Sequence, residues 1–313
     1  MIVLQADRMT TFPACSPDGR FLAAVWDHHL VAVWDRHDLD RGPLVRTFPV
    51  GTGTVVCLTF LPDGRLFGAD EDGGWATVSP LTGTFHRPRD GAVCNGYSVS
   101  PDGGVAVGCG WSLWRVRLDP RDVGQDDLPR PAEIWDGFEL LFRSEGVGFS
   151  SVCWAPDGRS LVTAGSRRPS AESCTWRSEV RTPDGVVTAV LTEAVTTRGD
   201  DVWPTPMAFT PDGRHVAGLF GGRLHVWAVE SGQLVAAAPE DDRSSAIAAT
   251  PDGQWLLTGD LSGRVTVREA VSGRSVRTYQ WGTGRVRGLA VAADGLTALV
   301  GGDRGAVLFD LEV

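Results

Sequence analysis

Two runs of acidic residues are the main candidates for cation chemistry in this sequence. They read DED at positions 70–72 and EDD at positions 240–242, and carboxylate oxygens are the ligands that hard cations prefer. Both runs fall in predicted loops, where carboxylates are ordinarily solvated. The adjacent His28 and His29 point to opposite sides of an extended chain, so they do not suit a single metal ion. We therefore expect no metal site and no cofactor.

Residue patterns that carry catalysis are missing from the sequence. The chain has no G-x-S-x-G motif for a nucleophilic serine and no glycine-rich phosphate motif. All 29 cationic residues are arginine, so neither a Schiff-base lysine nor the lysine of a Walker motif is present. On these grounds we expect that the chain is not an enzyme, although propellers can assemble catalytic groups from scattered loops.

The six cysteines indicate a reducing environment. They show no C-x-x-C pair and no Cys/His cluster with the spacing of zinc ligands. Most of them fall inside predicted strands, where buried thiols are common. We expect free thiols and a cytoplasmic location. The cysteines are Cys15, Cys57, Cys94, Cys109, Cys153 and Cys174.

Charge and hydropathy exclude several classes of partner. The 313 residues carry a net charge of −10, whereas a nucleic-acid-binding surface needs a basic footprint. No apolar run reaches the roughly 18–20 residues of a membrane helix. The segment 1–8 lacks the basic and apolar regions of a secretory signal. We expect no nucleic-acid partner, no membrane partner and a cytoplasmic protein.

One signature recurs along the whole chain. A Pro-Asp-Gly turn, preceded by an apolar alternation with a period of two, returns at intervals of 39 to 55 residues. Pro fixes the first central φ of such a turn, Asp favours the next position, and Gly takes the left-handed one. The seventh copy has Ala in place of Pro. The copies begin at Pro17, Pro62, Pro101, Pro156, Pro211, Pro251 and Ala293.

Each repeat supplies about four strands. The apolar alternation before the turn is one strand, and in the first repeat the runs 21–26, 30–34 and 44–48 give three more. Four strands in a unit of this length are typical of a propeller blade. The sequence therefore predicts an all-β chain, a seven-bladed β-propeller of four-stranded antiparallel blades filling residues 1–313 as one domain. The last repeat has only three strands, and we expect the segment 2–6 to complete it.

The ends of the third strands resemble the WD40 family. Val33-Trp34-Asp35 is a full match and Val226-Trp227-Ala228 a partial one, and Ser-Gly turns follow at 231–232 and 272–273. The Gly-His element of the family is missing throughout. The family's Trp position holds Trp34, Val78, Arg117, Trp227, Arg268 and Phe309, with blade 4 unassigned, and its Asp position holds Asp72 and Asp303 in two blades only. We expect a degenerate member whose blades pack by apolar burial rather than by buried polar networks.

The WD40 resemblance implies a ligand-binding face. In the family this face is built from the turns between second and third strands and from the connections leading into each blade. Trp and Arg, which are frequent in binding hot spots, occur in both loop sets. The expected partner-binding residues are His28, Asp72, Trp111, Arg167, Arg168, Asp201, Trp203, Asp242, Arg243, Trp281, Arg285 and Arg304.

Three functions fit this sequence. The first is an interaction scaffold that binds an unknown protein or peptide through loops of one propeller face and is monomeric on its own. The alternative is a propeller that binds or hydrolyses a small molecule at the mouth of the central channel, with His28, Asp72, Asp303 and Arg304 as candidate polar groups. The third is a structural subunit of a larger assembly, which a broad apolar patch on the rim would favour.

Overall fold

Seven four-stranded sheets make up the described part of the chain. The computed structural model describes residues 1–42, 44–47, 53–82, 85–86, 94–110, 112–118, 138–143, 147–167, 173–197, 206–220, 222–238 and 243–312. Within these residues, 28 strands pair antiparallel, and a short 3-10 helix spans Arg36–Arg41. The predicted all-β, seven-bladed propeller is confirmed.

The strand bounds show how regularly the repeat is built. Blade 1 contains β2–β5, each following blade takes the next four strands, and blade 7 combines β26–β28 with β1. In chain order the strands are β1 (Ile2–Ala6), β2 (Thr10–Cys15), β3 (Phe21–Trp26), β4 (Leu30–Asp35), β5 (Leu44–Thr47), β6 (Val55–Phe60), β7 (Leu66–Asp70), β8 (Trp75–Val78), β9 (Phe85–His86), β10 (Gly96–Val99), β11 (Val105–Cys109), β12 (Ser112–Arg117), β13 (Phe138–Arg143), β14 (Val147–Trp154), β15 (Leu161–Arg167), β16 (Ser173–Arg181), β17 (Val187–Thr197), β18 (Met207–Phe209), β19 (His215–Phe220), β20 (Arg223–Ala228), β21 (Leu234–Ala237), β22 (Ser244–Ala249), β23 (Trp255–Asp260), β24 (Arg264–Glu269), β25 (Ser275–Gln280), β26 (Val286–Val291), β27 (Thr297–Gly302) and β28 (Gly305–Asp310).

The first strand of each blade lies at the centre of the ring. These strands contact one another in order, and β2 touches both β6 and β26, so the ring is complete. β1 pairs antiparallel with β28, with Ile2 opposite Leu308. The expectation that the N-terminal strand completes the last blade is therefore confirmed. Both ends of the described chain share one sheet, which joins blade 7 to the rest of the ring.

The Pro-Asp-Gly turns are stabilised by a hydroxyl group that serves two partners. Ser16 Oγ donates to the Asp18 carboxylate at 2.5 Å and accepts a hydrogen bond from the Phe21 amide at 2.8 Å. Ser100, Thr210 and Thr250 form the same pair of bonds in three other blades. The hydroxyl bond is the main cause that lowers the pKa of the carboxyl groups of Asp18, Asp102 and Asp212. These aspartates act in the turns, as the sequence predicts.

Consecutive turns also pack on each other. A Cβ atom on Gly103 would lie 2.7 Å from Pro62 Cδ of the preceding blade, and one on Gly253 would lie 3.2 Å from Pro211 Cδ. The turns thus form a series of Pro–Gly contacts from blade 2 to blade 7. Between blades 7 and 1 the proline is absent, and Arg36 Nη1 instead pairs with Asp294 at 2.9 Å.

Apolar clusters fill the spaces between neighbouring blades. Trp34, which is 1% exposed, packs with Leu22 of its own blade and with Leu299 and Leu308 of blade 7. Trp26 meets the Trp34 ring edge-on, with centroids 5.7 Å apart. Equivalent clusters lie between the other blades. Apolar burial between blades is therefore a main source of stability, as expected.

Buried polar networks contradict the expectation that such networks do not help to hold the blades. Arg181 of β16 is buried, donates to Thr163 Oγ1 at 3.1 Å and Gly185 O at 2.7 Å, and pairs with the buried Glu179. In blade 6, Arg268 donates to Thr258 Oγ1 at 3.0 Å and Gly273 O at 3.2 Å.

These two arginines occupy the Trp position of their blades. Arg181 lies opposite Leu161, Arg268 opposite Leu256, and Trp34 opposite Leu22 in the same strand pair of each blade. The unassigned Trp position of blade 4 therefore holds Arg181. In both cases the guanidinium donates to a threonine on the second strand and to a glycine carbonyl after the third strand, so two of its five donors are bonded in the same way.

The greater length of blade 4 comes from a long hairpin. β16 and β17 pair from Ser173–Thr197 to Arg181–Val187, and Gly185 N donates to Thr182 O at 2.9 Å in the Pro-Asp-Gly turn between them. This additional Pro-Asp-Gly turn, at positions 183–185, joins the third and fourth strands of the blade. In blade 3, the charged and proline-rich stretch 119–137 lies outside the described residues. In the part of the chain that the structure describes, no helix has the length and apolar character that crossing a bilayer requires.

Candidate functional site

The meander of each blade assigns the loops to two opposite faces. The upper face carries the turns between second and third strands and the connections into each blade. The lower face carries the Pro-Asp-Gly turns and the turns between third and fourth strands. Of the expected site residues, His28, Asp72, Arg243, Trp281, Arg285 and Arg304 are described on the upper side or next to it, and Arg167 ends β15. Trp111, Arg168, Asp201, Trp203 and Asp242 lie outside the described residues.

Arg285 and Arg304 lie side by side on the upper face of blade 7. Arg285 ends the connection into β26, and Arg304 belongs to the turn between β27 and β28. Two backbone bonds join these segments, from Asp303 N to Arg285 O at 3.1 Å and from Arg304 N to Thr283 O at 2.8 Å. Both arginines are exposed. Neither forms an ion pair with any residue that the structure describes.

Arg243 extends this pair toward blade 6. Its carbonyl accepts a hydrogen bond from Leu261 N at 3.3 Å, in the turn that ends at Gly263. Gly263 packs against the backbone of Gly284, where a Cβ would lie 2.6 Å from the Gly284 carbonyl oxygen. Arg243 is exposed, and it has no ion-pair partner in the described part of the chain. We call Arg243, Arg285 and Arg304 the arginine arc.

Acidic groups beside the arc are mostly neutralised by other arginines. Asp303 pairs with Arg287 at 2.6 Å, and Asp27 pairs with Arg8 at 3.6 Å. The exposed Asp7 follows β1, and its amide donates to Arg304 O at 2.9 Å. The described part of the arc therefore presents guanidinium groups that remain available to an external carboxylate.

His28 and Asp72 lie on the upper face of blades 1 and 2. His28 has a left-handed backbone with φ 71, and its carbonyl accepts a hydrogen bond from Val55 N at 2.9 Å. Asp72 is exposed, and its carboxylate lies against Gly53, where a Cβ would meet Oδ2 at 2.7 Å. No group of three or more possible ligands is placed to hold a metal ion within the described ranges.

In the turns between second and third strands, the aspartates that accept the turn hydrogen bonds are not those expected from the WD40 pattern. Asp70 is buried at the end of β7, and its Oδ1 accepts a hydrogen bond from Gly74 N at 2.7 Å. Asp260, at the same place in blade 6, accepts bonds from Ser262 N at 2.8 Å and Arg264 Nε at 2.7 Å. Burial favours a higher pKa for Asp260, but hydrogen bonds from Arg264 N and Ser262 Oγ, together with these two, outweigh it and leave the pKa below its ordinary value. The turn-forming carboxylate comes two residues before the position assigned from sequence.

Trp281 packs between blades 6 and 7. Its ring stacks on Tyr279 at 5.2 Å and lies 4.1 Å from the Phe309 ring, and the side chain is half-buried. Truncating Trp281 would therefore disturb packing as well as any contact with a partner. Its expected role in partner binding stays a prediction.

A cavity of about 820 Å³ occupies the central channel. Residues of blades 1–5 line it, and none of these lining residues is titratable at neutral pH. The polar groups proposed for the channel mouth, His28, Asp72, Asp303 and Arg304, do not line this cavity. Sequence reasoning missed the lining residues because they carry no catalytic motif. Phe12, which also lines the cavity, has a left-handed backbone with φ 47.

The described cysteines are free and poorly reactive. Burial raises the pKa of Cys15 and Cys57 to about 12 and that of Cys94 and Cys153 to about 11. Burial also raises the pKa of Cys109. A thiol at these values is protonated at neutral pH and is a poor nucleophile. Free, buried thiols were expected for these five residues, and Cys174 lies among residues whose side chains are not described.

The rim exposes apolar side chains on the outer strands of blades 4 to 7. Outer strands have one unpaired edge, which is the usual place for strand addition or assembly. The exposed residues are Val187 and Val190 of β17, Leu234 and Val235 of β21, Val276 of β25, and Ile2 and Val3 of β1.

Comparison with known proteins shows the fold and no family. No protein-family model matches the chain, and no curated protein matches it either. A solved structure titled Kuenenia stuttgartiensis Hydrazine Synthase is similar, with a TM-score of 0.73 at 16% sequence identity. The similarity covers 100% of this chain and 97% of that chain. At this identity the likeness supports the seven-bladed propeller architecture and assigns no residue a role.

The same likeness corrects one expectation. We expected from the missing motifs that the chain is not an enzyme, and that inference is contradicted, because a chain with the same fold bears the name of an enzyme. Propellers can build catalytic groups from loops that are far apart in sequence. The absence of a local motif is therefore no ground for excluding catalysis.

Proposed function

We propose that this chain is a WD40-like interaction scaffold that binds an acidic segment of a protein or peptide on its upper face. The observation that carries the proposal is the arginine arc, in which Arg285 and Arg304 are exposed, adjacent and without an ion-pair partner among the described residues. Guanidinium groups bind carboxylates through two parallel hydrogen bonds. An acidic peptide that crosses blade 7 would satisfy both.

The overall negative charge limits how such a partner binds. The net charge of −10 repels acidic molecules at long range, but at physiological salt this repulsion is screened beyond about 8 Å. Contact energy then comes from the local arc, while the long-range field slows the association. We propose that the partner carries a short acidic stretch within an otherwise less acidic surface.

The proposed location is the cytoplasm. The five described cysteines are free, as expected where thiols remain reduced. A monomeric state is part of the same proposal.

A structural role in an assembly is the second candidate function, and the exposed apolar side chains along the outer strands of blades 4 to 7 favour it.

Capture from a lysate of the source cells tests the scaffold proposal. Immobilised wild type is compared with Arg285→Glu/Arg304→Glu and with a control of equal charge change on the lower face, Arg159→Glu/Arg214→Glu. We expect a protein that the wild type and the control retain, that the upper-face variant loses, and that soluble polyglutamate displaces while polylysine does not.

Two results of this capture contradict the proposal. One is equal retention of all specific proteins by both double variants. The other is displacement by polylysine rather than polyglutamate, which would indicate an acidic binding surface. All variants are first shown to melt within 2 °C or so of the wild type, since reversed charges at exposed sites rarely change stability by more than about 0.5 kcal/mol.

A further inference from the structure

Phe12 has an unusual backbone for its residue type and place. Its φ of 47 lies in the left-handed region, although it belongs to the innermost strand of blade 1. The other non-glycine residues with positive φ in the described chain are Asp7, Asp27 and His28, which are outside strands and of types that tolerate this region. A bulky aromatic residue there is strained, and such strain is often found at functional sites.

A bulge turns Phe12 toward the channel. The pairing of β2 with β3 shifts between Thr11 and Ala14, so the residues between them leave the regular ladder. The backbone at this point packs tightly on Gly288 of blade 7, where a Cβ would lie 3.3 Å from Phe12 N. The Phe12 side chain lines the central cavity and is 38% exposed. Because the Phe12 ring is only partly buried, the free energy gained from its burial offsets only part of the cost of its left-handed backbone.

The polar groups around the cavity are neutral and fixed in direction. Ser98 Oγ accepts a hydrogen bond from Trp154 N at 3.1 Å, which leaves its proton free to donate. Ser150 Oγ donates to Ala164 O at 3.2 Å, which leaves its lone pairs free to accept. Asn95 Nδ2 donates to Phe149 O at 3.1 Å, which leaves Oδ1 as an acceptor. Thr59 and Ser151 add two more hydroxyl groups to the lining.

This lining favours one class of ligand. A charged molecule would find no counter-ion among the lining residues and would lose its hydration. A fully apolar molecule would leave the hydroxyl and amide groups without partners. A ring that carries hydroxyl groups on its edge and C–H groups on its face would use both the polar lining and the Phe12 ring. The volume of about 820 Å³ lies within the roughly 300–1,000 Å³ of small-molecule sites.

We propose that the central cavity binds a neutral, hydroxylated ring compound of the sugar class, with Phe12 as the surface on which its C–H face packs. This site is independent of the arginine arc and goes beyond the scaffold function. The strained Phe12 backbone keeps the ring at the cavity wall before the ligand arrives, so binding does not have to order it.

Titration of defined sugars tests this proposal. The probes are D-glucose and maltose, and their charged counterparts D-gluconate and D-glucosamine, observed by saturation-transfer NMR. We expect the neutral sugars to bind the wild type, and the charged compounds to bind at least tenfold more weakly. Phe12→Tyr keeps binding, whereas Phe12→Gly weakens it at least tenfold. Leu296→Ala, an exposed apolar residue that does not line the cavity, serves as the control and keeps binding.

The melting temperature of Phe12→Gly separates a ligand role from a packing role. Glycine adopts this φ without strain, so we expect the variant to melt at or above the wild-type Tm while it loses the sugar. A Tm several degrees below that of the wild type would show that the ring is needed for packing, and would overturn the proposal. Absence of binding by both neutral sugars, or equal binding by Phe12→Gly, would overturn it too.

Discussion

Replacing Arg181 by methionine is expected to destabilise the propeller by about 3–5 kcal/mol. Arg181 is buried in blade 4 and pairs with the buried Glu179, so the substitution leaves that carboxylate without its main partner. It also removes the donors to Thr163 and Gly185 O. Chemical denaturation, monitored by tryptophan fluorescence, measures the change in the free energy of unfolding.

Two variants identify the cause of this loss. Arg177→Met removes the exposed arginine that also pairs with Glu179, at 2.6 Å, and we expect a loss below about 1 kcal/mol. The double variant Arg181→Met/Glu179→Leu also removes the buried carboxylate that has lost Arg181, and we expect it to regain much of the stability that Arg181→Met loses. If Arg181→Met and Arg177→Met lower the free energy of unfolding by the same amount, the buried network contributes no more to stability than the exposed ion pair does.

Replacing Trp34 by alanine is expected to cost about 3–5 kcal/mol. The Trp34 ring fills the space between blades 1 and 7, against Leu299 and Leu308, and its removal leaves a cavity at the joint that closes the ring. Its Nε1 has no hydrogen-bond partner among the described residues, so the contribution of Trp34 comes from packing alone. The measurement is again the free energy of unfolding.

The conservative variant Trp34→Phe checks this account. Phenylalanine retains most of the apolar volume and lacks the unpaired Nε1–H, so we expect it to restore more than half of the loss. A loss for Trp34→Phe as large as that for Trp34→Ala would show that the indole N–H contributes a bond that the packing account omits.

Trp34 and Arg181 also show how far the sequence determines this fold. Strand number, blade number and ring closure could be predicted, because the Pro-Asp-Gly turn and the alternation of apolar residues are local patterns repeated along the chain. The buried arginines could not, because an isolated Arg in a strand is usually exposed. Only the structure shows that Thr163 and a turn carbonyl accept hydrogen bonds from Arg181.

The candidate site was predictable in part for the same reason. Arg285 and Arg304 could be assigned to one face, because strand order fixes which loops share that face. That neither has an ion-pair partner among the described residues could not be foreseen, since Asp303 pairs with Arg287 instead. Phe12 carries no sequence signal at all. Its strained φ lies at a bulge in β2, and the backbone there packs against Gly288 of a blade that is distant in sequence.

Fluorescence anisotropy with an acidic peptide tests the central claim most directly. The probe is a fluorescein-labelled decapeptide of alternating glutamate and serine, and the same peptide with lysine in place of glutamate is the control. We expect saturable binding of the acidic peptide to the wild type and to Arg159→Ala/Arg214→Ala, and at least tenfold weaker binding to Arg285→Ala/Arg304→Ala. Equal affinity of the two double variants, or no binding of the acidic peptide by the wild type, would contradict the account.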